Sequence, residues 1–194
     1  MSLVSKQAIP TESPWWDALS DDLPISPLMR RWLSDQGSLT KLLVDTCEAS
    51  AFSVDVLEQS WQPALASETS LLNLKKTDKA FIRQVKLMCA QQYRVYARSV
   101  IPAQSLDGDA RHLSKLQNKP LGAVLFADQN TRRVKMQFAR LQADHALHAL
   151  AIAHQPDADL QQAVLWARRT LFSYAEHPLI VNEIFMPVME TIEL

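Results

Sequence analysis

The sequence predicts an α+β fold, and three observations predict it. Phe81–Met88 and Tyr93–Ile101 are two apolar runs around a short polar turn at Ala90-Gln91-Gln92, the pattern of a β-hairpin closed by Pro102. Leu165–Tyr174 and Leu179–Pro187 repeat that pattern around Glu176-His177-Pro178. Helical spacing falls outside these pairs, so the chain mixes antiparallel hairpins with helices instead of alternating βαβ units.

Taken in order, residues 1–12 are polar and irregular and read as a loose tail. Ser13-Pro14-Trp15-Trp16 has the form of a helix start, and Ser26-Pro27 repeats it, with Leu28, Met29, Trp32 and Leu33 at helical spacing and Gly37 at the stop position. Ser38 caps a second short helix through Leu43, so two helices meet at a glycine corner. Phe52, Val54 and Val56 alternate with Ser53 and Asp55 as a half-buried strand, and 62–79 reads as a connection. Asp109–Gln117 reads as a short helix ended by Asn118-Lys119-Pro120. The apolar run Leu121–Phe126 holds Gly122, which implies close backbone approach to a neighbouring segment or to a ligand. Val134, Met136 and Phe138 alternate as a further strand, then an alanine-rich helix spans about 144–154, with a second piece from Asp159.

Composition narrows the function classes. The chain has 194 residues, 47% apolar and 21% charged, as expected of one globular domain with a substantial core. A formal net charge of −1 gives no reason to expect nucleic acid or an anionic membrane as partner. The 3 glycines, Gly37, Gly108 and Gly122, are scattered, which excludes a phosphate-cradling loop. Cys47 and Cys89 form no CxxC pair, so the expectation is a reducing, cytoplasmic setting with neither a disulfide framework nor a zinc site. The N-terminus lacks the apolar stretch of a signal peptide, and no segment is long enough for a membrane span.

Among candidate sites, His145, His148 and His154 lack a carboxylate or cysteine to complete a ligand set and read as surface histidines; no metal is expected. Trp15, Trp16, Trp32 and Trp61 read as core or lid packing. Two charges in the middle of apolar strands stand out. Glu183 lies inside Leu179–Pro187, and Arg83 inside Phe81–Met88. An ionised group in such surroundings needs a partner. Arginine suits bidentate capture of a planar carboxylate, and a buried glutamate can orient a hydroxyl or exchange a proton. The pair therefore fits a small hydroxylated acid, and it equally fits a structural ion pair. A symmetric first hairpin places Arg83 opposite or nearly opposite Arg98. Their repulsion is relieved by an anion between them or by one of them facing solvent. In the simplest second hairpin, Thr170 faces Glu183 with Arg168 diagonal to it.

Trp32-Leu33 with Gly37-Ser38-Leu39-Thr40, Ile82-Arg83-Gln84-Val85 and Ala97–Pro102 are followed by Pro120-Leu121-Gly122 with Leu125-Phe126. Leu165–Arg169 and Pro178-Leu179 with Glu183–Pro187 come after them in the same order. In these anchors, from about Trp32 to Pro187, the chain resembles the bacterial chorismate pyruvate-lyases that open ubiquinone synthesis. The resemblance implies an antiparallel sheet with helices packed on one side and helical flaps over a buried ligand site. It also implies conversion of chorismate to 4-hydroxybenzoate and pyruvate without metal or organic cofactor. By position, Arg83 would hold the ring carboxylate and Glu183 would meet the ring hydroxyl, these being the catalytic candidates. Leu39 and Leu121 would contact ligand through backbone groups, and Arg98 is a second-tier candidate for the enolpyruvyl carboxylate. Family members often carry methionine at the position of Leu39, and 141–163 reads as a helical insertion. The expected state is a monomeric single domain over 1–194. The competing class is a non-catalytic ligand sensor, since effector domains of certain bacterial transcription regulators share this fold. Only some 30–50 residues precede the first strand, with no basic recognition helix among them, which favours the enzyme.

Overall fold

The structure, a computed structural model, describes residues 15–47, 51–153, 155 and 158–194. The expected tail, the Ser13-Pro14 cap, His154 and Pro156 lie outside the described residues. Six antiparallel strands form one sheet in the order β1-β2-β3-β6-β5-β4. They are β1 (Phe52–Pro63), β2 (Lys79–Cys89), β3 (Gln92–Pro102), β4 (Thr131–Leu141), β5 (Leu165–Tyr174) and β6 (His177–Phe185). The two expected hairpins supply the four central strands.

Both turns are tighter than the sequence suggests. Ala90-Gln91 and Ala175-Glu176 are two-residue turns with positive φ at both positions, the geometry whose twist matches paired strands. In the second hairpin this moves the register by two residues, so Arg168, not Thr170, lies opposite Glu183. In the first hairpin the turn centre is where the sequence puts it, but a bulge between Leu87 and Met88 shifts the pairing by one. Arg83 then faces Ser99 while Arg98 faces Gln84. A one-residue slip sends a side chain to the other face. Arg83 and Arg98 therefore point away from each other, and the expected clash does not exist.

Helices cover both faces. On the Arg83 face sit α1 (Pro27–Ser34), capped by the Ser26 hydroxyl, α2 (Leu39–Thr46), capped by Ser38, and α4 (Leu121–Ala127). The first helix stops at Ser34, before Gly37, and buries Met29, Trp32 and Leu33 against Val85, Leu87, Val95 and Phe185. Burial contributes about 1.5–3 kcal/mol for Met29 and again for Leu33. The Leu121–Phe126 run is helical, and Gly122 faces α2 so closely that a Cβ there would lie 3.0 Å from Thr40 Oγ1. Asp109–Gln117 is replaced by a 3-10 segment, Gly108–Lys115. On the other face sit α3 (Ala66–Leu71), inside the stretch read as a plain connection, α5 (Ala146–Ile152) and α6 (Ala158–Gln162).

Several expectations are corrected here. Residues 15–26 form no helix; Trp16 instead bridges Phe138 through paired main-chain hydrogen bonds. Trp61 is exposed on β1. His145 and His148 are buried, and His148 Nε2 lies 2.8 Å from the Ala163 carbonyl. Cys47 and Cys89 form a disulfide, because β2 returns Cys89 to the end of α2 although 42 residues separate the two. No described helix is long and apolar enough to cross a membrane.

On the second face, a buried polar row crosses the sheet: Gln84, Arg98, Asn182, Arg169 and Gln137 are consecutive cross-strand neighbours. Glu68 of α3 comes down on its centre. Arg98 Nε and Nη2 donate to the two Glu68 carboxylate oxygens at 2.9 and 3.2 Å, and Asn182 Nδ2 donates to Oε1 at 2.9 Å. Breaking a buried pair leaves an uncompensated charge. Glu68→Gln is therefore expected to lower unfolding free energy by about 3–5 kcal/mol. Glu68→Leu with Arg98→Met recovers most of that loss in denaturant titration. Equal stability of Glu68→Gln and wild type would count against this role.

Candidate active site

Arg83 lies mid-strand in β2 and is 2% exposed. Its Nη2 donates to the carbonyls of Gln117 at 2.8 Å and Lys119 at 3.0 Å, while its buried Nε has no hydrogen-bond partner. Among the described residues no carboxylate comes within ion-pair distance of it. Burial lowers its pKa to about 10, which leaves it protonated at neutral pH. A buried cation whose protein partners are neutral carbonyls, with one donor unspent, can accommodate an anion.

Glu183 lies mid-strand in β6, directly opposite Arg168 of β5. Arg168 Nε donates to Glu183 Oε2. Arg168 Nη1 donates to the carbonyls of Trp32 at 3.2 Å, Leu33 at 3.4 Å and Asp35 at 2.9 Å, where α1 ends. Glu183 Oε1 has no hydrogen-bond partner among the described residues, and the Glu183 side chain is 14% exposed against 2% for Arg168. The glutamate thus has an ion pair, as one reading of the sequence allowed, but with Arg168 and not Arg83.

Arg83 and Glu183 share a face without touching. Arg83, Ser99 and Val181 form one cross-strand row, and Val85, Ala97 and Glu183 form the next. Two strand spacings and two residues along the strand put their Cα atoms about 12 Å apart. The small side chains of Ser99 and Ala97 lie between them on the same face of the sheet. The strip also separates two apolar clusters, one under α1 and α2 and the other under α4.

Leu39 and Leu121 are the first residues of α2 and α4, both buried. The first N–H groups of a helix have no intrahelical acceptor, so both leucines stand where main-chain donors are outside the helix ladder. Each follows a segment the sheet holds: Arg83 grips the carbonyls just before Pro120-Leu121, and Arg168 grips those before Gly37-Ser38-Leu39. Arg98 is not part of this site; it lies on the opposite face, neutralised by Glu68.

Two further arginines lie near Glu183. Arg168, expected diagonal to Glu183, lies directly opposite it; Arg133 was not singled out from the sequence. Arg133 of β4 donates Nη1 to the Gln36 carbonyl at 2.6 Å and sits over the Phe126 ring, joining the α1–α2 corner to α4. Burial, then the nearby Arg168 cation, lowers the Arg133 pKa. The alternation around Val134 could have flagged Arg133, but a bulge between Arg133 and Lys135 breaks it. No group of three or more potential metal ligands forms among the described residues.

Comparison with known proteins shows the family. The family model described as chorismate lyase matches residues 10–192. A "probable chorismate pyruvate-lyase" of Nitrosospira multiformis is 37% identical over 175 residues, covering 90% of this chain and 93% of that protein. One of Methylococcus capsulatus is 36% identical over 161 residues, covering 83% of this chain and 96% of that protein. Among solved structures, the C-terminal domain of the histidine utilization repressor from Pseudomonas syringae aligns with a TM-score of 0.53 at 11% identity, over 74% of this chain and 96% of that one. A GntR-family transcriptional regulator from Bacillus cereus aligns with a TM-score of 0.52 at 8% identity, over the same shares of the two chains. These two likenesses concern the fold alone.

Arg83→Met is expected to weaken binding of benzoate at neutral pH by at least 10-fold, since a hydrogen bond to a charged group is worth about 1.5–3 kcal/mol. In the wild type, affinity should hold at neutral pH and fall as pH rises through about 10, where the free protein's Arg83 loses its proton. Calorimetric titration at several pH values checks both; equal affinity in the variant would remove Arg83 from the site.

Proposed function

The chain belongs to the chorismate lyase family, and on that premise we propose that it converts chorismate to 4-hydroxybenzoate and pyruvate, the committed step into ubiquinone synthesis. The observation that carries the reading is the spacing of Arg83 and Glu183. Among the described residues, a buried cation lacking a carboxylate partner and a carboxylate with one unclaimed oxygen share the face of the sheet that α2 and α4 cover. Arg83 holds the ring carboxylate, Glu183 Oε1 accepts the ring hydroxyl proton in a hydrogen bond, and the N–H groups at Leu39 and Leu121 close over the ligand.

The chemistry is an elimination. The ring carbon bearing the hydroxyl loses its hydrogen as a proton, and that electron pair forms the last ring double bond. The adjacent ether bond breaks, and enolpyruvate leaves and takes up a proton as pyruvate. Nothing is oxidised or reduced overall, and aromatisation supplies much of the driving force. The protein's work is then to orient the substrate, exclude water and stabilise developing charge. The substrate's own enolpyruvyl carboxylate can accept the ring proton. The cytoplasmic location and the monomeric single domain belong to this proposal, and the location rests on the family assignment, since the cysteines are paired.

The fold is also that of regulator effector domains, so a sensor is the reading to test against. Purified protein with chorismate, without added metal, should yield 4-hydroxybenzoate and pyruvate in equal amounts. Glu183→Ala should lose most of kcat, by about 100-fold or more if it removes a preorganised acceptor. Saturable 4-hydroxybenzoate binding without turnover would instead make the protein a sensor. Because helices roof the site, opening for product release should limit the rate. A single-turnover rate no faster than steady state would contradict that.

A further inference from the structure

We infer that Arg168 is a positioning residue for this reaction, orienting the Glu183 carboxylate and coupling that orientation to closure of the α1–α2 corner. The inference rests on the lyase reading of the site. Arg168 is 1% exposed, and its guanidinium works through two edges. The Nε edge takes Glu183 Oε2, which leaves Oε1 without a hydrogen-bond partner among the described residues. The Nη1 edge takes the carbonyls of Trp32, Leu33 and Asp35. Those carbonyls lack intrahelical donors and carry the negative end of the α1 dipole, so a cation is favoured there.

A planar guanidinium makes the two edges move together. When the corner carrying Asp35, Gly37 and Leu39 is seated, Arg168 is clamped and the carboxylate is held at one angle. When the corner lifts, Nη1 loses its acceptors and Nε no longer fixes the carboxylate. Roof closure and alignment of Glu183 are thereby one event. The Phe185 ring, 5.9 Å from the guanidinium carbon, packs beside it. A simple helix cap would need only the Nη1 edge; the Nε contact to a functional carboxylate sets Arg168 apart.

The test is a double-mutant cycle in chorismate turnover with Arg168→Met, Arg168→Lys, Glu183→Gln and the Met/Gln double variant. Arg168→Met should lower kcat by about 10–100-fold, the range in which residues supporting a functional group act, with a smaller effect on KM. The double variant should fall no further than Glu183→Gln alone, because the two side chains act as one unit. Arg168→Lys keeps the charge without the fork, so it should recover only part of kcat. If Arg168→Met does not fold, the cycle is read with Arg168→Lys, whose loss must vanish in the Glu183→Gln background. Multiplicative losses, with a lowered Tm as the only shared effect, overturn the coupling while leaving the lyase reading intact. A wild type that makes no 4-hydroxybenzoate from chorismate overturns both.

Discussion

A charge placed in the middle of a sheet covered on both faces must find its counterpart there, and this constraint shapes the molecule. Arg83, Arg98, Arg168 and Arg169 are all buried in the four central strands. Glu68 neutralises Arg98, Glu183 pairs with Arg168, and Arg169 donates to Gln137 Oε1 and lies over the Trp15 ring. Arg83 meets main-chain carbonyls only, among the described residues. Burying a guanidinium in that state is unfavourable by several kcal/mol unless an anion completes it. Arg83 carries such a deficit, and the proposed function fills it with the ligand carboxylate.

The parity of the strands separates structural charge from functional charge. Even-numbered positions of β3 and β6 bring Arg98 and Asn182 to the face under α3, where Glu68 closes the network. Odd-numbered positions bring Ser99, Val181, Ala97 and Glu183 to the face under α1, α2 and α4. Adjacent residues such as Asn182 and Glu183 therefore serve different ends. The bulge in the first hairpin is what puts Arg83 and Arg98 on opposite faces, and without it both cations would crowd one side.

Much of this was legible from residue order alone. The paired apolar runs gave the hairpins, because period-two and continuous apolar runs bounded by turn residues have few other solutions. Arg83 and Glu183 stood out because a charge inside such a run demands explanation. What sequence could not supply was register. Ala90-Gln91 and Ala175-Glu176 adopt left-handed conformations without glycine or asparagine, so nothing in their chemistry marks the tight turn. The Arg168–Glu183 pairing and the true place of Arg98 both depended on those turns and on the bulge. The Cys47–Cys89 bridge was hidden for a related reason, since separation along the chain says nothing of distance once a strand folds back.

The two ends of the candidate site share a construction. At one end Arg83 grips the carbonyls of Gln117 and Lys119, so the group poised for the ligand also seats the segment leading into α4 and Leu121. At the other end Arg168 grips the end of α1, so the partner of Glu183 also seats the segment leading to Leu39. The helices then meet over the strip, where Gly122 admits Thr40 at a distance that a larger side chain would contest. Each arginine thus joins a buried strand position to the segment that leads into a covering helix. The segments leading into α2 and α4 are thereby seated by buried arginines of the sheet itself.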